Sequence, residues 1–192
     1  MCSWYFTTRP CTRKLKKKEG NSKELNVTGG IGLVSSRLLI EGPIKKEKIS
    51  FLVGGRSSYA HLFLPFFNND NKAYFYDLNT KLNYRVNDRN SVFFSGYFGK
   101  DLFGISDNFV NTYGNKVANL RWNHLFSDQL FSNLSLIYSD YFYGLTLDFV
   151  GFEWDSGITN INFKYDFNHY LKDNLKLSYG VNNIYTKLND GE

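Results

Sequence analysis

Three kinds of residue in this chain could carry chemistry: a glycine triplet, three histidines and a set of clustered acids. Gly29-Gly30-Ile31-Gly32 invites a phosphate-cradling reading, because glycine lets backbone N–H groups approach a phosphate closely. A dinucleotide fingerprint would need a further Gly at position 35 and a helix after the loop. Position 35 is Ser and no helical periodicity follows, so the triplet reads as strand or bulge. His61, His124 and His169 are too far apart for metal-ligand spacing. His124 and His169 fall at apolar-phase positions beside short turns, where an amphipathic ring suits an interface. Asp148, Glu153 and Asp155 share one segment and could hold a hard cation such as Ca²⁺; solvated acids are the plainer reading. Carboxylates of the type that hydrolyse glycosides are present, but no spacing positions a pair. No Gly-x-Ser-x-Gly elbow occurs. Cys2 and Cys11 both precede residue 24, so the rest of the chain has neither disulfide nor thiolate ligand. These residues assign no catalytic, cofactor-binding or metal site and no cofactor, and the chain reads as a non-enzyme.

With no chemistry concentrated at a point, the elements themselves carry the information. Tyr and Phe supply 32 of 192 residues, and Met occurs once; aromatic enrichment favours strands over helices. No apolar run approaches the roughly 20 residues of a transmembrane helix. A barrel strand shows lipid only every second residue, so low overall hydropathy is compatible with a membrane wall. Charge is concentrated at one end. Residues 1–23 hold seven Lys or Arg against one acid, whereas the remainder carries sixteen basic and seventeen acidic residues. The reading is a basic, poorly ordered tail over 1–23 and a folded segment over 24–192, with no nucleic-acid partner. The tail lacks the 7–15-residue apolar core of a signal peptide, so the natural start is expected elsewhere.

Period-two alternation dominates from residue 24. Tyr76, Leu78, Thr80, Leu82, Tyr84 and Val86 alternate with Phe75, Asp77, Asn79, Lys81, Asn83 and Arg85, and such sets lie on opposite sides of a sheet. The same pattern recurs over 160–168 and 175–182. It predicts eight strands, at about 24–42, 48–60, 73–86, 91–100, 115–126, 130–144, 157–170 and 175–188, with a phase slip near Ser35–Ser36 read as a bulge. Connections Pro43–Glu47, Asn87–Asn90, Ser127–Gln129 and Lys172–Asn174 are short. Segments 61–72, 101–114 and 145–156 read as long loops. Long strands with short turns at one end and long loops at the other suit an outer-membrane barrel, with periplasmic turns and extracellular loops. Aromatics gather near strand ends as girdles would: Tyr84, Trp122, Phe126, Phe131, Phe167 and Tyr170 by the short turns, and Tyr74, Tyr97, Phe98, Tyr141, Phe142, Tyr143 and Tyr185 by the long loops.

Several strings narrow the class. Lys18 to Pro43 (KEGNSKELNVTGGIGLVSSRLLIEGP), Gly54-Gly-Arg-Ser-Ser-Tyr59, Ala73-Tyr-Phe-Tyr-Asp-Leu-Asn79, Phe94-Ser-Gly-Tyr-Phe-Gly99, Leu120-Arg-Trp-Asn-His-Leu-Phe126 and Leu130-Phe-Ser-Asn133 together resemble the early barrel of TonB-dependent outer-membrane receptors of the Bacteroidetes type. The resemblance covers about 18–192; the first 17 residues do not match. It implies a fragment of a plugged barrel of about 22 strands, from a protein that imports a scarce nutrient with energy passed on by TonB through a plug not seen in this chain. The expected fold is all-β: an antiparallel up-and-down transmembrane barrel segment of about eight long strands, forming an open, curved sheet when alone. A passive porin or adhesin barrel, or a soluble β-sandwich that binds carbohydrate, are the alternatives.

The alternation also assigns faces. Leu78, Leu82, Leu120, Phe163, Leu177 and Val181 are expected to meet outer-membrane lipid. Asn79, Lys81, Asn83, Arg121, Lys164 and Lys176 are expected to line a lumen. Phe63, Phe66, Phe67 and Trp154 are the candidate extracellular loop contacts for an unspecified nutrient ligand.

Overall fold

The computed structural model describes residues 21–63, 71–105, 108–172 and 174–191. These form one nine-stranded sheet whose strands pair strictly in chain order. The strands are β1 (Asn26–Ile31), β2 (Ser35–Lys45), β3 (Ile49–Ser58), β4 (Lys72–Asn87), β5 (Asn90–Ile105), β6 (Phe109–Ser127), β7 (Leu130–Leu147), β8 (Phe152–Lys172) and β9 (Leu175–Asn189). Every ladder is antiparallel. The fold is all-β and up-and-down, and β1 and β9 are open edges. No second sheet packs on this one, so the sandwich alternative has no counterpart among the described residues. Leu52 is the one buried apolar side chain among them. A sheet ordinarily buries one face against another layer; among the described residues no layer does so.

Two expectations about the strands are corrected. The single strand expected over 24–42 is a hairpin, β1 turning at 32–34 into β2. The Gly32 N–H donates to the Ser35 carbonyl (2.9 Å), and the turn is tied to β3 by the Tyr59 N–H donating to the Val34 carbonyl (2.9 Å) and by the Tyr59 hydroxyl donating to the Gly32 carbonyl. A chain reversal and a bulge leave the same phase slip in a one-dimensional pattern. The segments 101–114 and 145–156 are mostly strand rather than loop. β5 and β6 run to Ile105 and from Phe109, and β7 and β8 are separated only by residues 148–151, which hold a 3₁₀ turn at Asp148–Val150. The strict alternation of long and short connections therefore fails. The β3–β4 connection is the long one, and its residues 64–70, including Phe66 and Phe67, lie outside the described residues, as do Cys2 and Cys11.

The four short turns share a construction. Immediately before or after each, the register shifts by one residue, between Pro43 and Lys45, Arg85 and Asn87, Leu125 and Ser127, and Tyr170 and Lys172. The extra residues are Ile44, Val86, Phe126 and Leu171, all apolar and all exposed. Successive turns are also stitched together: the N–H groups of Arg85, Leu125 and Tyr170 each donate at 2.8 Å to the carbonyls of Lys48, Arg89 and Gln129. Side chains close the turns. Asn87 Oδ1 accepts from the Arg89 N–H (3.0 Å) and from Asn90 Nδ2 (2.9 Å), and Ser127 Oγ accepts from the Leu130 N–H (3.2 Å).

Candidate functional site: the two faces of the sheet

Cross-strand partners in an antiparallel ladder project to the same side, so the registers sort every strand residue onto one of two faces. Phe51, Leu82, Phe94, Leu120, Leu136 and Phe163 stand side by side across six strands. On the same side, the next row toward the short turns is Ile49, Tyr84, Val92, Trp122, Leu134, Tyr165 and Val181. This side, face A, carries all six residues expected to meet lipid. Face B carries Asn79, Lys81, Asn83, Arg121, Lys164 and Lys176, each one residue out of phase. Face A is an apolar band left open over the width of the sheet. Along β8 it runs from Ile161 to His169, about 27 Å at ~3.4 Å per residue.

The lower margin of the band, near the short turns, is aromatic. Trp122, His124, Phe126, Phe167 and Tyr179 form a chain of rings with centroid separations of 5.3, 4.3, 6.3 and 5.3 Å. Asn90 Oδ1 accepts from Trp122 Nε1 (3.1 Å) and lies 2.7 Å from His124 Nδ1. His124 is thus a ring in an aromatic row held by an amide. The aromatic residues near the strand ends do not all share this face. Phe131 and Tyr170 near the short turns, and Tyr97, Tyr141 and Tyr143 near the other end, project from face B.

Face B is polar opposite the apolar band. Arg56 Nε donates to Asp77 Oδ2, Lys164 Nζ lies 3.0 Å from Asp166, and the Arg121 guanidinium stacks 4.5 Å over the Phe93 ring. Asn111, Asn115, Asn119 and Asn123 repeat every fourth residue of β6 on this face, with side-chain oxygens that accept no hydrogen bond from the described residues. Acceptors so arranged suit water or a polar ligand. The four-residue spacing was available in the sequence, but it signals nothing until the segment is known to be one continuous strand.

Above the band both faces change character together. Face B becomes aromatic and apolar, with Phe103, Phe109, Tyr143, Leu145, Phe152 and Trp154, and the Tyr143 and Trp154 rings meet edge-on at 5.7 Å. Face A becomes polar, with Lys100, Lys116, Asp140, Thr159, Asp155 and Lys187. Trp154, expected in a loop, is a strand residue of this upper face B. Phe63 is where a loop contact was expected, exposed at the end of a 3₁₀ turn and 6.2 Å from Tyr59. Asp148, Glu153 and Asp155 form no metal-holding group, and no such group occurs among the described residues. No helix among the described residues is long and apolar enough to cross a membrane.

No family model matches the chain, and no curated protein or solved structure was found to match it.

Proposed function

We propose that this sheet is a segment of the wall of an outer-membrane β-barrel, with face A against lipid and face B toward a wet lumen. One observation carries the reading: a coherent apolar band crosses the sheet with no layer of the described residues over it, backed by a polar face. Exposed apolar area on this scale marks an interaction surface, and a belt bounded by aromatic rings below and charges above has the profile of a bilayer. The strand count points the same way. β1 and β9 run in the same direction, so joining those two edges would require a parallel pair, whereas barrels of this class close antiparallel with an even number of strands. Open edges in hydrocarbon leave N–H and C=O groups unpaired, so the wall is completed by strands beyond the nine.

Within that class, the motif strings favour a TonB-dependent nutrient receptor over a passive porin or an adhesin. The partners are then lipid, an imported nutrient above face B, and TonB acting through a plug. The reading assigns no reaction to the chain.

The test is the depth of single tryptophans. In outer membranes loaded with acyl-brominated lipid, the W4F/W154F chain retains Trp122 as its sole tryptophan and should be strongly quenched. The W4F/W122F chain, retaining Trp154, should not be. Equal quenching, or quenching of Trp154 alone, rejects the face assignment. Uptake that survives collapse of the inner-membrane proton gradient would favour a passive barrel.

A further inference from the structure

We infer that face B binds a small soluble ligand through a phosphate group, in a groove at its short-turn end. The ligand's place in transport rests on the reading of face B as a lumen wall; the site itself does not. The groove has a volume of about 460 Å³, within the roughly 300–1,000 Å³ of small-molecule sites. Three cations line it, Lys23, Lys48 and Arg85, and one acid, Glu47. Three positive charges against one negative leave +2, which matches the charge of about −1.5 to −2 on a phosphate monoester.

Backbone geometry gathers these residues. The Arg85 N–H donates to the Lys48 carbonyl at 2.8 Å, so two cations stand opposite each other where β3 meets β4. Like charges so placed destabilise a sheet, and an anion between them removes the repulsion. The Glu47 N–H donates to the Ser22 carbonyl (3.4 Å), and Asn21 Oδ1 accepts from the Lys23 N–H (3.0 Å). Together these bonds hold Lys23 beside the turn. Glu47 has a φ of +61°, a left-handed conformation uncommon outside glycine, and such backbone concentrates at ligand clamps. Among the described residues none of the three cations has an ion-pair partner. The Arg85 fork therefore offers paired donors to phosphate oxygens, and each ammonium offers three. Polar groups complete the floor. Ser50 is buried, its Oγ accepting from Asn83 Nδ2 (3.4 Å), and Ser91 is paired with Arg85 across β4 and β5. Phe93, opposite Asn83, supplies an apolar wall for the rest of the ligand. The side of the sheet decides the source of the phosphate. Ser50, Asn83, Arg85, Ser91 and Phe93 all project from face B, away from the apolar band, so the groove takes a soluble phosphate rather than a bilayer headgroup.

For the experiment, the full chain is extracted in a maltoside detergent, which carries no phosphate. Its lysines are acylated with and without inorganic phosphate at constant ionic strength, and mass spectrometry reads each rate. At saturating phosphate Lys23 and Lys48 should react about tenfold more slowly, the protection expected of a charge-assisted hydrogen bond. Lys45 and Lys46, in the same turn but outside the groove, should keep their rates. Arg85→Gln should raise the half-protecting phosphate concentration at least about tenfold by the same measure, and Arg85→Lys, which keeps the charge, should raise it less. Vesicles of phosphatidylglycerol in place of free phosphate should not protect Lys23 or Lys48. Absent protection, equal protection of all four lysines, protection by vesicles alone, or a half-point unmoved by Arg85→Gln overturns the inference. The first three need no variant, so a substitution that impairs folding does not shield the proposal. The wall reading fails separately: a chain that fails the tryptophan-depth test and still shows phosphate protection keeps this site and loses the lumen.

Discussion

Leu82→Arg separates a lipid-facing wall from a water-facing sheet by magnitude. Leu82 lies in the middle row of face A, directly between Phe51 and Phe94, and is 38 % exposed. In either medium the substitution loses apolar cross-strand contacts worth about 0.2–1 kcal/mol each. In water little more is at stake, because exposed substitutions usually fall within about 0.5 kcal/mol, and the Arg stem can lie along its neighbours. At the middle of an apolar belt, Arg on the lipid face costs about 2–4 kcal/mol. At tenfold per 1.4 kcal/mol, that is roughly 30- to 700-fold in the folding equilibrium. Asn79→Arg is the matched control: the same strand, one row and one residue out of phase, on face B and exposed. It should change stability by less than about 0.5 kcal/mol. The assay is a denaturant titration of membrane-inserted protein followed by tryptophan emission. A cost for Leu82→Arg below about 1 kcal/mol, or the same cost for both variants, would refute the assignment of face A to lipid.

Three further outcomes are expected. With Cys2 and Cys11 replaced by Ser, Val150→Cys should react with an impermeant thiol reagent on whole cells and Asp88→Cys should not; the reverse pattern inverts the topology. Val150 is the better probe site than its neighbour Gly151, whose φ of +60° disfavours any side chain. Phe126→Ala removes ring contacts to His124 and Phe167 and should cost about 1–2 kcal/mol in the same titration, since aromatic pairs contribute about 0.5–1.5 kcal/mol each; a neutral result would show that the bulged residues do not anchor the turn end. Asn87→Ala leaves the Arg89 N–H without its side-chain acceptor and should cost about 1 kcal/mol, detectable as a shift in midpoint at unchanged slope.

Sequence alone determined the strand character of the chain, the separation of its faces and the position of the short turns. Each of these is local. Leu78 and Asn79 are one residue apart, and a pleated backbone sends them to opposite sides whatever the neighbours do. Asn87 and Ser127 close their turns within three residues. Tertiary pairing decided three other things. The reversal at 32–34 is fixed by the contacts of Tyr59, the residue that follows β3, and without them the glycines read as a bulge. The outer halves of β5 to β8 were invisible as strands because amphipathicity inverts there. Apolar residues move from even positions such as Phe94 and Phe98 to odd ones such as Phe103 and Ile105 on β5, and a period-two pattern that changes phase looks like its end. Finally, the alignment of Phe51, Leu82, Phe94, Leu120, Leu136 and Phe163 in one row depends on register across six strands. A one-residue slip in any ladder would turn part of that row to the other face, so no spacing along the chain shows these residues together.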